Sequence, residues 1–123
     1  MTLDELTFGT YKEIEANIVE VIINEGVELT KKMIQQAEKA LLEKYGSDSY
    51  ALLVNRVHSY SHTVGSMQQV AKMKNLAAIA ILVYSDSSKQ AATIHELFQK
   101  NIHVFENREE SITWLKTFLA SGL

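Results

Sequence analysis

Apolar and polar residues along the chain change period several times, and each change marks an element. Leu6 to Tyr11 and Ile14 to Asn24 read as strands, the second rich in β-branched residues. A turn near Lys12 and Glu13 would join them as an antiparallel hairpin. Glu20 interrupts the second run, so one face there must be paired or less buried. Val27 to Tyr45 has helical spacing, with Met33, Ile34, Ala37, Ala40 and Leu41 recurring every three or four residues. Gly46 stands where a left-handed helix stop belongs.

Ala51 to Val54 and Ala77 to Tyr84 are uninterrupted apolar runs, expected of strands covered on both faces. Between them, Val64 to Lys74 predicts a helix with Val64, Met67, Val70 and Ala71 on one side. After Ser85-Asp86-Ser87-Ser88 comes another, carrying Ala91, Ile94, Leu97 and Phe98, with Asp86 or Ser87 as its cap. Ile102 to Glu106 reads as a short strand. Asn107, with Glu110 three residues on, opens a last helix whose buried stripe is Ile112, Leu115, Phe118 and Leu119. Trp114 lies about 160° from Ile112 around that helix, at a margin suited to an interface such as a homodimer's. The order β-β-α-β-α-β-α-β-α predicts an α/β fold. Its sheet would be mixed but mostly parallel, with about five strands, an N-terminal hairpin and four helices.

Composition narrows the class. The 123 residues, 46% of them hydrophobic, suit a single domain spanning 1–123 with one core. A formal net charge of −3 supplies no basic footprint for nucleic acid. The absence of cysteine excludes disulfides, thiolate metal sites and a cysteine nucleophile. The acidic start, Met1-Thr2-Leu3-Asp4-Glu5-Leu6, lacks the cationic and apolar regions of a secretory signal. The longest apolar run, Leu76 to Tyr84, is about half of what a membrane span needs. These features lead us to expect a soluble, cytoplasmic protein with no membrane span.

The central strand Ala78-Ile79-Ala80-Ile81-Leu82-Val83 and the C-terminal Val104-Phe105-Glu106, Glu109-Glu110 and Trp114-Leu115 carry a resemblance. With the element order and chain length, they resemble the SpoIIAA-like proteins of the STAS/SEC14-like group. That resemblance implies a non-enzymatic regulatory domain that contacts a protein partner, as STAS anti-sigma-factor antagonists do. The SEC14-like relatives imply an alternative, a carrier or sensor of a small apolar ligand or lipid. In the antagonists an Asp-Ser-Ser-Gly-like motif opens a helix after a strand, and phosphorylation of a serine blocks partner binding. The matching segment here, Asn55 to Ser66, has the hydroxyls but not that string.

This segment follows a central strand at its carboxyl end, where open α/β sheets bind ligands. The candidate ligand- or partner-binding residues are Asn55, His58, Ser59, Tyr60, Ser61, His62, Thr63 and Ser66, with Tyr84 and Asp86 after the next strand. Ser59, Ser61 and Thr63 are the candidate phosphorylation sites. The plainer reading is a solvated loop with Ser61 or Thr63 capping the helix. His58 and His62 are four apart, but no acidic residue lies between them and they flank a loop, so no metal site is expected. Ser61, His62 or His58, and Asp86 could be assembled into a catalytic set on paper, yet no Gly-x-Ser-x-Gly elbow exists. No glycine-rich phosphate loop occurs, so no cofactor is expected. An apolar ligand would sit between the sheet and the helices bearing Met67, Met73, Ile94 and Phe98. His95 and His103 read as structural or surface residues.

Overall fold

A computed structural model describes residues 5–93 and 101–120 of the chain. The strands are β1 (Glu5–Leu6), β2 (Gly9–Glu15), β3 (Ile18–Ile23), β4 (Glu28–Leu29), β5 (Tyr50–Asn55), β6 (Ser61–His62), β7 (Leu76–Leu82) and β8 (Ile102–Phe105). The helices are α1 (Lys31–Tyr45), α2 (Val64–Ala71), α3 (Asp86–Thr93) and α4 (Arg108–Ala120). The main sheet runs β1-β2-β3-β5-β7-β8. Pairing is antiparallel among the first three strands and parallel from β3 onward. The expected mixed sheet of five principal strands is therefore present, extended by the two-residue edge strand β1.

The hairpin is placed differently from the expectation. Lys12 and Glu13 lie within β2, opposite Glu20 and Val19, and the turn falls at Ala16-Asn17. Asn17 adopts φ 63°, a left-handed conformation that asparagine tolerates. Its side-chain amide donates to Ser49 O at 2.7 Å, and its carbonyl accepts from Ala51 N at 2.8 Å. The turn is thus held from the neighbouring strand. Gly9 crosses so close to β3 that a Cβ there would lie 2.5 Å from Ile22 O.

Helix α1 begins at Lys31 because Thr30 caps it, its hydroxyl accepting from Met33 N at 3.3 Å. The preceding Val27 to Leu29, read above as helix, is extended. Glu28 and Leu29 pair in parallel with Ser61 and His62 of β6. Gly46 ends α1 at φ 60°, as expected. Helix α2 stops at Ala71, three residues short of the expected end. Helix α3 is capped by Ser85 rather than Asp86 or Ser87, its hydroxyl accepting from Ser88 N at 3.1 Å. Asn107 caps α4, accepting from Glu110 N at 2.9 Å. The expected core positions Ile94, Leu97 and Phe98, and His95, lie outside the described residues.

From β3 onward each strand is added on the same side of its predecessor. Crossovers of one hand then put every connecting helix on one face. On that face Ile34, Ala37 and Leu41 of α1, Val70 of α2 and Ala92 of α3 pack against Val21, Leu52, Ile79 and Ile81. On the other face α4 packs Leu115, Ile112, Phe118 and Leu119 against Ile18, Ala51, Leu53, Ala78, Ala80 and Leu82. Small residues in the strands let the single helix approach closely. No helix among the described residues is long and apolar enough to cross a membrane.

Candidate functional site

The sheet order removes one premise of the sequence reading. Ligands bind open α/β sheets at the point where strand order reverses. The parallel strands β3, β5, β7 and β8 never reverse, so no such crevice forms at the carboxyl end of β5. Two separate features occupy that region instead.

The first is the loop itself, which is clasped. Gly26 N donates to Ser59 O at 2.7 Å, Ser61 N to Val27 O at 3.0 Å and Thr63 N to Leu29 O at 3.0 Å. Glu25 adds a contact from its carboxylate, accepting from Ser59 N at 2.9 Å, and His58 Nδ1 lies 3.9 Å from the same oxygen. His58, Ser59 and Ser61 are exposed, whereas Tyr60, His62 and Thr63 are half-buried. Thr63 is the helix cap, accepting from Ser66 N at 3.1 Å. Ser66 is fully buried. Its hydroxyl donates to Thr63 O at 2.8 Å and meets His62 Nδ1 at 2.8 Å. It therefore has no surface to offer a partner. The hydroxyl that meets His62 is buried and committed to the backbone, a poor position for a nucleophile. Among the described residues no group of three or more histidines and carboxylates converges to hold a metal ion.

Asn55 is also buried, at the centre of a polar chain on the α4 face. Tyr84 Oη donates to Asn55 Oδ1 at 2.7 Å, and Asn55 Nδ2 donates to Glu20 Oε2 at 2.7 Å. Arg108 closes the chain with two bonds to Glu20, 2.7 Å to Oε1 and 3.1 Å to Oε2. Those guanidinium bonds, with help from Asn55, hold the Glu20 carboxyl below the usual range despite partial burial. The carboxylate that interrupts the apolar run of β3 is thus paired, as the pattern required. Asp86 is exposed at the start of α3. The exposed large hydrophobic residues among those described are Val57 (49%), Val64 (59%) and Tyr84 (61%). Val57 lies two residues past β5, Val64 opens α2 and Tyr84 lies two residues past β7.

Trp114 is half-buried among the chain's own aromatic rings, with centroids 4.7 Å from Phe118, 5.5 Å from Phe105 and 5.9 Å from His103. Trp114 thus stands at the margin of the α4 packing, as the periodicity places it, with part of its surface still exposed.

The second feature is an apolar cavity of about 70 Å³ on the α1/α2 face. Its walls include Val21, Leu52, Val54, Ile79 and Ile81 of the sheet, Ile34, Ala37 and Leu41 of α1, and Leu29 of β4. Met73 reaches it as expected, while Met67 is not part of its wall. Four polar side chains join it: Tyr11, Arg56, Tyr60 and His62. Arg56 follows Leu52 and Val54 at the strand period of two, so it continues the row of β5 that faces this space. That signal was legible in the sequence, yet Arg56 was not among the candidate residues. Only 8% of Arg56 is exposed. Its backbone N donates to Leu82 O at 2.9 Å, and Nη2 donates to Tyr60 O at 2.8 Å. Its guanidinium carbon sits 4.1 Å from the Tyr60 ring centroid. Burial pushes the Tyr11 and Tyr60 hydroxyls above their ordinary pKa, which keeps both neutral.

Comparison with known protein families and with curated proteins finds no match. Solved structures do match. An uncharacterised DUF3478-family protein with a SpoIIAA-like fold, from Shewanella loihica PV-4, superposes with a TM-score of 0.57. The match is 13% identical and covers 87% of this chain and 91% of that one. The unphosphorylated anti-sigma factor antagonist SpoIIAA superposes with a TM-score of 0.51 and 16% identity, over 85% of this chain and 94% of that one. The fold is SpoIIAA-like. At these identities the likeness concerns the SpoIIAA-like architecture alone, and function must be argued from the surface and the cavity.

Proposed function

We propose that this chain is a non-enzymatic regulatory domain of the cytoplasm that binds a protein partner at the carboxyl ends of β5 and β7. The supporting observation is the placement of Val57, Val64 and Tyr84, all exposed and all at this end of the sheet. Exposed apolar side chains on the loops at one end of a sheet give a partner apolar surface to bury. His58, Ser59, Ser61 and Asp86 supply a polar rim to the same surface. The likeness to an anti-sigma factor antagonist favours a regulatory protein as the partner.

Ser59 and Ser61 are the phosphorylation sites best suited to control this surface. Each sits opposite an acidic residue of the clasp, Glu25 for Ser59 and Glu28 for Ser61. A phosphate brings up to about two negative charges, which would repel those carboxylates and loosen the loop. Thr63 is less suited, because its hydroxyl is engaged as the helix cap.

The test is a titration of labelled protein with purified anti-sigma-type regulators, followed by the backbone amide signals of residues 57–64. Binding should move those signals, and Val64→Asp should abolish it without unfolding the chain. A complex that forms with these amides unmoved, or that survives Val64→Asp, would rule out this surface.

The apolar cavity supports a second reading, a carrier or sensor of a small ligand. At about 70 Å³ the space is under half of the roughly 150 Å³ that takes benzene, so it suits a ligand of few atoms. Native mass spectrometry of protein purified from cells distinguishes a loaded from an empty chain.

A further inference from the structure

The last helix turns Leu115 and Ile112 to the sheet and keeps a second strip at the margin of that contact. Glu110, Trp114 and Thr117 follow one another at spacings of four and three, so they share this strip, with Glu109 and Thr113 alongside. The strip borders β8, the outermost strand among the described residues, and with Phe105 it forms an open groove.

The groove has an aromatic floor and an acidic wall. Trp114 is the only tryptophan in the chain, and contacts to Phe118, Phe105 and His103 hold its ring in place. The rest of its half-buried surface lines the groove. Glu109 and Glu110 are exposed, and among the described residues neither carboxylate enters an ion pair or a hydrogen bond. A full capping box would turn the Glu110 carboxylate back onto Asn107 N–H. Here only the reverse bond forms, Asn107 Oδ1 accepting from Glu110 N at 2.9 Å, which leaves that carboxylate free. No cationic side chain lines the groove among the described residues.

Two uncommitted negative charges therefore stand beside the electron-rich face of an indole. Both attract a planar cation: a guanidinium stacks on tryptophan, and its N–H fork suits carboxylates. An exposed ion pair alone contributes little, so the ring beside the carboxylates is what sets this strip apart from a solvated helix face. We propose that the groove docks an arginine of a basic protein segment, its guanidinium over the Trp114 ring and its N–H groups on Glu109 and Glu110. The site shares no residue with the surface at β5 and β7, so it stands apart from that reading. A second copy of this chain complements it poorly, because the strip offers a twin only carboxylates and no cation to answer them.

Trp114 makes the test direct, since all tryptophan emission comes from the site. The full chain is titrated with a blocked peptide of alternating glycine and arginine, and with its citrulline counterpart, which keeps the shape and loses the charge. The arginine peptide should change the emission saturably, with an affinity that falls as salt rises, and the citrulline peptide should not. Glu109→Gln with Glu110→Gln should weaken the arginine peptide roughly fivefold or more, about what two exposed ion pairs contribute. Glu43→Gln with Asp48→Asn, an equal change in net charge around the end of α1, should leave the affinity unchanged. Equal responses to the two peptides, or equal losses in the two double variants, would overturn the proposal. Methylguanidinium saturating at the same concentration would replace the protein segment with a free cation. Emission that shifts with protein concentration alone, alongside a dimer in sedimentation, would assign the groove to a second copy instead. The two peptides on the unsubstituted chain decide the matter even if a variant fails to fold.

Discussion

The two faces of the sheet handle charge in opposite ways. On the α4 face, Glu20 is met by Asn55 and by both terminal nitrogens of Arg108, and Tyr84 completes the chain. On the α1/α2 face, Arg56 is more deeply buried, meets no carboxylate among the described residues, and relies on Tyr60 through a hydrogen bond and a ring contact. Packing differs in the same sense. Ala51, Ala78 and Ala80 bring α4 close to the sheet, whereas larger side chains on the other face enclose about 70 Å³. One face is thus a closed structural core, and the other is a core with room left beside it.

The sharpest way to break this contrast is to damage the closed face. Leu115→Ala removes a fully buried side chain from the α4 contact and should cost about 2–5 kcal/mol. Urea unfolding measures it, and a loss below about 1 kcal/mol would mean that the α4 face can collapse around the gap.

Next in size is the paired charge. Glu20→Ala leaves the buried Asn55 amide without its acceptor and should cost about 1–3 kcal/mol. The pH dependence has a definite sign. Glu20 has a lower pKa folded than unfolded, so its contribution is complete above the unfolded value of about 4.3. It is lost as pH falls through the folded value. Glu20→Gln should therefore flatten the acid limb of a stability profile and leave its alkaline limb unchanged.

The smallest effect discriminates most directly between the faces. Val21→Ile adds a methylene at the wall of the cavity and should stabilise by up to about 0.8 kcal/mol. Ala80→Val enlarges a fully buried residue beneath α4 and should instead cost about 1–3 kcal/mol. Equal signs for the two substitutions would erase the distinction between open and closed faces.

Much of the architecture was legible from periodicity, because burial imposes it locally. The apolar runs of β5 and β7, the helical spacing of α1 and the Asn107 cap of α4 all required only neighbouring residues. The hairpin turn was misplaced because Asn17 is stabilised by Ser49 and Ala51, more than thirty residues away. Val27 to Leu29 looked helical because its apolar residues merge with the pattern of α1. Their extended form depends on pairing with residues 59–63. The candidate site shows the same division. Polar residues after β5 marked the loop, but nothing local distinguished exposed Ser61 from fully buried Ser66.

The sequence by itself determined the order of the five principal strands and four helices, the two-sided burial of the central strands and the need for Glu20 to find a partner. Each follows from hydrophobic period or from the cost of burying an isolated charge. Tertiary structure alone decided that Arg108, far away in the chain, is that partner. It also decided that strand order never reverses, that the β4/β6 clasp holds the loop, and that Arg56 borders a cavity. These outcomes depend on how separate elements meet in space, and no local pattern encodes the volume left between them.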